Sequence, residues 1–268
     1  MKQTLTHLLG CLVLGSVLCA ALPVSAQAET SSTAGNGHVR FAGDEGDGLV
    51  KDPEHPDTPV DPGESPRTNG DLRIEFVPQL SFSANRLSSK DTSYPVNAQL
   101  FHDGTAARGN FIQISDYRGG ALGWTLQLRQ EMQFYNPDTP NRQLDGAVLS
   151  LDQAWTNSAQ TAVQAPVVSK EVIHLDNIGS TYNLAEAAVG TGSGTWSISF
   201  GASAENPLGL TSTLTPKITE DGQPVVDAAY ENQQVYENSA IKLSIPGATK
   251  KDPVTYTTVL TWILAELP

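Results

Sequence analysis

From Leu122 to Phe134 the chain alternates with a period of two. The even positions read Leu, Trp, Leu, Leu, Gln, Met, Phe, and the odd positions between them read Gly, Thr, Gln, Arg, Glu, Gln. Such a pattern cannot bury its apolar side chains as a helix, whose faces repeat every 3.6 residues, but buries them all on one face of an extended strand. The same period recurs in Leu72-Arg73-Ile74-Glu75-Phe76 and in Trp196-Ser197-Ile198-Ser199-Phe200. Near the C-terminus Val254, Tyr256, Leu260, Trp262 and Leu264 share one parity. Shorter strands are expected at Phe111–Ile114, Ala147–Leu151, Val172–Leu175, Leu210–Leu214 and Ile241–Ile245. Turn chemistry separates them, as in Asp103-Gly104, Arg118-Gly119-Gly120, Asn136-Pro137-Asp138, Asp221-Gly222 and Pro246-Gly247. The only helix-like stretch, around Leu184 to Val189, is short. Strands bounded by turns, with no amphipathic helix between them, predict an all-β domain, an antiparallel β-sandwich or a barrel-like fold, over residues 69–268. About 200 residues suffice to bury roughly 70% of the unfolded surface without disulfides or metal.

The first 28 residues read as an export signal: Lys2 supplies a positive start, Leu8 to Leu22 is nearly all apolar, and Ala26-Gln27-Ala28 offers small residues for cleavage. This run falls short of the ~20 residues a spanning helix requires, and no integral membrane segment is expected in the mature chain. Both cysteines, Cys11 and Cys19, lie inside it, so disulfides and cysteine nucleophiles are excluded from the mature protein.

Residues 29–68 are rich in Asp, Glu, Pro and Gly, with nine acids against three bases and hence a net charge of −6. Like charges and missing backbone donors predict an acidic, disordered linker here. Without Lys2 the chain carries 15 basic and 29 acidic residues, a net charge of −14. A surface of that sign repels nucleic acid, whose recognition depends on Lys and Arg neutralising phosphates.

Two Trp-x-Leu triplets stand 138 positions apart, Trp124-Thr125-Leu126 and Trp262-Ile263-Leu264. On a strand each sets an indole beside an isobutyl group, roughly 6.6 Å apart on one face. The C-terminal string Tyr256-x-x-x-Leu260-Thr261-Trp262-x-Leu264-x-x-x-Pro268 resembles the terminal signature of the WxL domain surface proteins of low-GC Gram-positive bacteria. Gly123-Trp124-Thr125-Leu126 resembles that family's first motif. The order of export signal, acidic stretch and strand Leu72–Phe82 is similar to these proteins as well. The resemblance implies a secreted, β-rich module at the cell surface, attached non-covalently to the wall through peptidoglycan, with other cell-surface proteins as further partners. An adhesin or interaction subunit that binds another surface protein or a host ligand is the alternative.

For Trp124, Leu126, Tyr256, Leu260, Thr261, Trp262 and Leu264 two roles stay open, a binding face and a packed core. Indoles suit a binding face because they combine large apolar area with a polar N–H. Matching strand parity suits a core. No catalysis is expected: His102-Asp103 and His174-x-Asp176 are adjacent pairs without a positioned nucleophile, and neither a Gly-x-Ser-x-Gly elbow nor a His-Glu-x-x-His zinc site occurs. Asp44-Glu45-Gly46-Asp47-Gly48 lacks the bidentate Glu that a calcium loop needs at its twelfth position. No metal or cofactor is expected.

Overall fold

The computed structural model describes residues 48–267. The expected export signal over 1–28 and the first part of the acidic stretch, 29–47, lie outside the described residues. Each alternating run contains a strand, though Val254 and Tyr256 lie in the loop before the last one. In chain order the strands are β1 (Leu72–Phe76), β2 (Thr92–Asn97), β3 (Asn110–Asp116), β4 (Trp124–Gln130), β5 (Val148–Leu151), β6 (Ala154–Asn157), β7 (Val167–Val168) and β8 (Ile173–Leu175). Then follow β9 (Thr181–Ala187), β10 (Gly194–Phe200), β11 (Leu214–Pro216), β12 (Val226–Asp227), β13 (Gln233–Gln234), β14 (Tyr236–Ile245) and β15 (Leu260–Glu266).

These strands form three main sheets, all antiparallel. Sheet one has the order β1-β3-β10-β6 and sheet three the order β15-β4-β9-β7. Sheet two runs β11-β14-β5-β8, with β2 also paired to β14. None of the three closes into a barrel, so the sandwich-like alternative is the one the chain adopts. One apolar core joins them: Ile112, Ile114, Trp196 and Ile198 from sheet one, Leu149, Leu151 and Ile241 from sheet two, and Trp124, Leu126 and Leu128 from sheet three. Burial of such side chains contributes about 1.5–3 kcal/mol each relative to leaving them exposed.

The stretch expected to turn helical is strand β9. Its pairing with β4 slips between Leu126 and Gln127, where Leu126 faces Ala185 and Gln127 faces Asn183. The extra residue is Leu184, so Leu184 and Ala185 are both buried although adjacent. A β-bulge breaks the period of two at that point and leaves a pattern that imitates a helix face.

The linker expectation is corrected for residues 48–68, which are part of the fold. Strand β3 is buried on both faces, and its second face is covered by this segment. Val50 and Val60 pack with Phe76, Phe101 and Phe111, and Gln113 accepts from the Lys51 amide at 2.7 Å and donates to the Leu49 carbonyl at 3.1 Å. Two of the carboxylates counted as repelling charges are inside. Asp52 takes two donors from Arg108, Nε at 3.0 Å and Nη2 at 2.9 Å. Glu54 lies 3.4 Å from the same guanidinium and accepts from the Ser203 amide and hydroxyl at 2.7 and 2.6 Å. Asp52, Glu54 and Arg108 are only 2%, 1% and 5% exposed. Burial opposes the charge on Arg108, and its hydrogen bonds and proximity to Asp52 and Glu54 outweigh that, raising its pKa.

Removing one member of such a buried group leaves the others uncompensated, which costs about 3–5 kcal/mol. Arg108→Met is therefore expected to lower the stability of the domain by that amount in urea unfolding. An exposed control, Lys170→Met, should shift it by less than about 0.5 kcal/mol.

Candidate functional site

The two triplets, far apart in sequence, are neighbours in sheet three. Strand β15 runs antiparallel to β4 with Leu264 opposite Leu126, Trp262 opposite Leu128 and Glu266 opposite Trp124. Directly opposed residues share a face, so Trp124, Leu126, Trp262 and Leu264 all point toward the core side of the sheet. Their situations differ because β4 is an interior strand and β15 an edge.

Trp124 and Leu126 are fully buried. The Trp124 indole donates to the Gly192 carbonyl at 3.0 Å. Gly192 makes room for it, and Gly123 allows the close approach of the neighbouring strand. A Cβ on Gly192 would come within 2.4 Å of the Ala187 Cβ and 3.0 Å of the indole nitrogen, and Gly123, at φ +83°, would meet the Ala187 carbonyl at 2.8 Å. The side chain of Arg118 fastens this corner. It pairs with both oxygens of Asp116 at 2.9 Å, donates to the Gly123 carbonyl at 2.9 Å, and lies 3.2 Å from Glu266 at the end of β15. The hydrogen bonds to Asp116 are the main reason that the Arg118 pKa is raised.

Leu260, Trp262 and Leu264 are only partly buried and pack against the margin of the core. Leu260 and Trp262 line a groove of about 1120 Å³. Leu149, Leu243 and Ile245 of sheet two contribute to its lining, together with Leu80 and Phe82 from residues 77–87 and with residues 251–258, which lead into β15. Phe82 meets Phe134 edge-on, with centroids 6.3 Å apart.

Trp262 is distinguished from the other tryptophans by its indole nitrogen. Trp124, Trp155 and Trp196 each donate to a backbone carbonyl, at 3.0, 2.8 and 2.9 Å. The Trp262 N–H has no partner among the described residues.

Tyr256 and Thr261 also line the groove, and both are hydrogen-bonded within the fold. The Tyr256 hydroxyl donates to the Asn141 carbonyl at 2.7 Å and accepts from the Asp252 amide at 3.0 Å. Asp252 in turn accepts from the Thr139 hydroxyl and from the amide and side chain of Asn141, at 3.0 and 2.9 Å. These bonds, that from Thr139 foremost, hold the Asp252 carboxyl below the usual carboxylate range. Thr261 points to the opposite face of the sheet, where its hydroxyl donates to Glu131, the partner of Arg129. Sequence alone did not single out Arg67, Phe82, Lys251 or Asp252. Phe82 stood in the strand-like run Leu72–Phe82, but the others lack any periodic signal and reach the groove through loops.

A family model described as "WxL domain surface cell wall-binding" matches residues 28–268. No curated protein and no solved structure matches the chain.

Trp124→Ala should cost about 3–5 kcal/mol in denaturant unfolding, the range for deleting a buried indole. Trp262→Ala should cost clearly less, because the side chain is already partly in solvent. A depressed carboxyl pKa stabilises the fold at pH values above its unfolded value of about 3.9, and that contribution is lost as pH falls through the folded value. The Asn141 amide resonance is therefore expected to titrate below the ordinary Asp range, and Asp252→Asn should abolish that titration.

Proposed function

The chain belongs to the WxL domain family of surface cell wall-binding proteins, and from that premise we propose that it is held at the wall non-covalently through peptidoglycan, with the groove beside Trp262 as its contact. The coarser assignment follows from the family: the protein acts at the cell surface and binds the cell wall. The observation that supports the finer one is the state of Trp262, a partly exposed indole on the wall of an apolar groove, with its N–H unpartnered among the described residues. An indole in that state gives a ligand both an apolar face and a hydrogen-bond donor. Trp124 and Leu126 are assigned to the core that shapes the groove.

We read the protein as a binding module and not a hydrolase. His102 stacks on Tyr230 with centroids 4.4 Å apart, while Asp103 accepts from the amides of Asp61 and Thr105, each at 3.0 Å. Asp176 accepts from the Tyr182 hydroxyl at 2.7 Å. The carboxylates beside both histidines are thus engaged with local donors, which suits a structural role.

Purified mature protein should sediment with sacculi stripped of anionic wall polymers and release no soluble fragments from them. Raising the ionic strength should weaken binding only slightly, because apolar contact and neutral hydrogen bonds are little screened and an exposed ion pair contributes only about 0–1 kcal/mol. Failure to sediment would refute peptidoglycan binding. Fragment release that disappears on a single carboxylate substitution would make the protein an enzyme.

A further inference from the structure

The ladder between β4 and β15 determines which backbone groups of β15 remain available. The Glu131 amide donates to the Val259 carbonyl at 2.9 Å and the Leu267 amide to the Gly123 carbonyl at 3.4 Å. The odd-numbered residues of β15 therefore exchange bonds with β4, and the even-numbered ones turn their N–H and C=O groups away from it. Leu260, Trp262 and Leu264 consequently form an open edge, with no hydrogen-bond partner for those groups among the described residues.

Open edges are usually blunted in native sheets, and the edge of β1 shows how this chain does it. The Thr68 amide donates to the Ile74 carbonyl at 3.0 Å, and the Ser65 hydroxyl exchanges bonds with the Val77 amide and carbonyl, both at 2.9 Å. Among the described residues no segment caps the edge of β15 with hydrogen bonds in this way. Its edge adjoins the groove, which Leu260 and Trp262 line.

Charge supplies a second constraint. The chain has a net charge of −13, yet Arg67 and Lys251 both line the groove without a carboxylate partner among the described residues. Arg67 donates instead to the Gly48 carbonyl at 3.4 Å and Lys251 to the Thr249 carbonyl at 3.1 Å. Asp252, the acid in the lining, is occupied by Thr139 and Asn141. The remaining cations suit a ligand that carries carboxylates.

We propose that the groove takes the peptide stem of peptidoglycan rather than its glycan strand, with the stem laid extended along the open edge of β15. This rests on the reading of the groove as the wall contact. A stem is a chain of amides, so it can exchange N–H···O=C bonds with Leu260, Trp262 and Leu264 in the manner of an added strand. Those three residues span about 13 Å along the edge, a length that an extended stem of four or five residues covers. Its alanine side chains are small enough to lie beside Leu260 and Trp262, and its carboxylates are complementary in charge to Arg67 and Lys251, which line the groove. A glycan strand has no repeating amide backbone to match the edge.

The test compares the mature protein on intact sacculi and on peptide-free glycan strands coupled to beads, with a free stem tetrapeptide as competitor. Binding to intact sacculi that the tetrapeptide displaces, with none on bare glycan, is the expected result. Equal binding to bare glycan overturns the inference while leaving wall binding intact; absence of binding to intact sacculi refutes the wall reading itself.

Two variants address the edge directly. Leu264→Pro removes an outward N–H without touching the ladder to β4, as proline is tolerated on that side of an edge strand. Leu264→Ala loses the same packing but keeps the donor. The proline variant should bind intact sacculi about tenfold more weakly than the alanine variant, the equivalent of one hydrogen bond. Equal binding by two variants with matching near-UV circular dichroism would overturn edge pairing. Should the proline variant not fold, displacement by the tetrapeptide decides.

Discussion

The ladder between β4 and β15 is the contact on which this architecture turns. It joins the last strand of the chain to one more than a hundred positions upstream, completes sheet three, and puts both Trp-x-Leu triplets on one face. Contacts of such sequence separation are entropically costly to close, so the ladder must be reinforced where it forms. Arg118 does this at one end, tying Asp116 of β3 to Gly123 and Glu266. Thr261, Glu131 and Arg129 do it on the opposite face. Because both clasps engage groups on the β4 side or at the tip of β15, neither consumes the outward backbone of Leu260, Trp262 and Leu264.

What could be read from sequence was whatever depended on period. Strands β1, β4 and β10 follow from alternation, because a strand that packs one face on the core writes that face into every second residue. The reading failed where tertiary structure interrupts the period or supplies a distant partner. Around Leu184 the bulge opposite Leu126 and Gln127 buries two successive residues. Around Asp52 and Glu54 the composition is that of a solvated acidic tail, and distant partners, Arg108, 56 positions beyond Asp52, and Ser203, turn those charges into an interior group. Val254 and Tyr256 share the parity of β15 yet lie in the loop before it, held there by Asn141 and Asp252. Composition reports average behaviour, whereas one buried guanidinium decides the fate of a particular carboxylate.

The same limit applies to the candidate site. Parity puts each indole on one face with its own leucine, but it cannot pair two distant strands or tell an interior strand from an edge. β4 has neighbours on both sides, so Trp124 is enclosed and its N–H is used within the fold. β15 has one neighbour, so Trp262 retains partial exposure and an unpartnered donor among the described residues. Identical motifs thus divide into an enclosed indole and a partly exposed one, and the difference comes from sheet order.

Charge makes a related separation by distance. At physiological ionic strength the field of a −13 chain is screened within about 8 Å, so it governs approach to an anionic envelope and hardly affects groups already in contact. In the groove the relevant charges are those of Arg67 and Lys251, opposite in sign to the surface as a whole. On the wall-binding reading, the acidic surface slows encounter with polyanionic polymers and disfavours indiscriminate adhesion to them. On the same reading retention depends on short-range features: apolar area, the indole N–H of Trp262 and the edge of β15, both unpartnered among the described residues. On that reading the attachment owes its affinity to slow dissociation more than to fast capture.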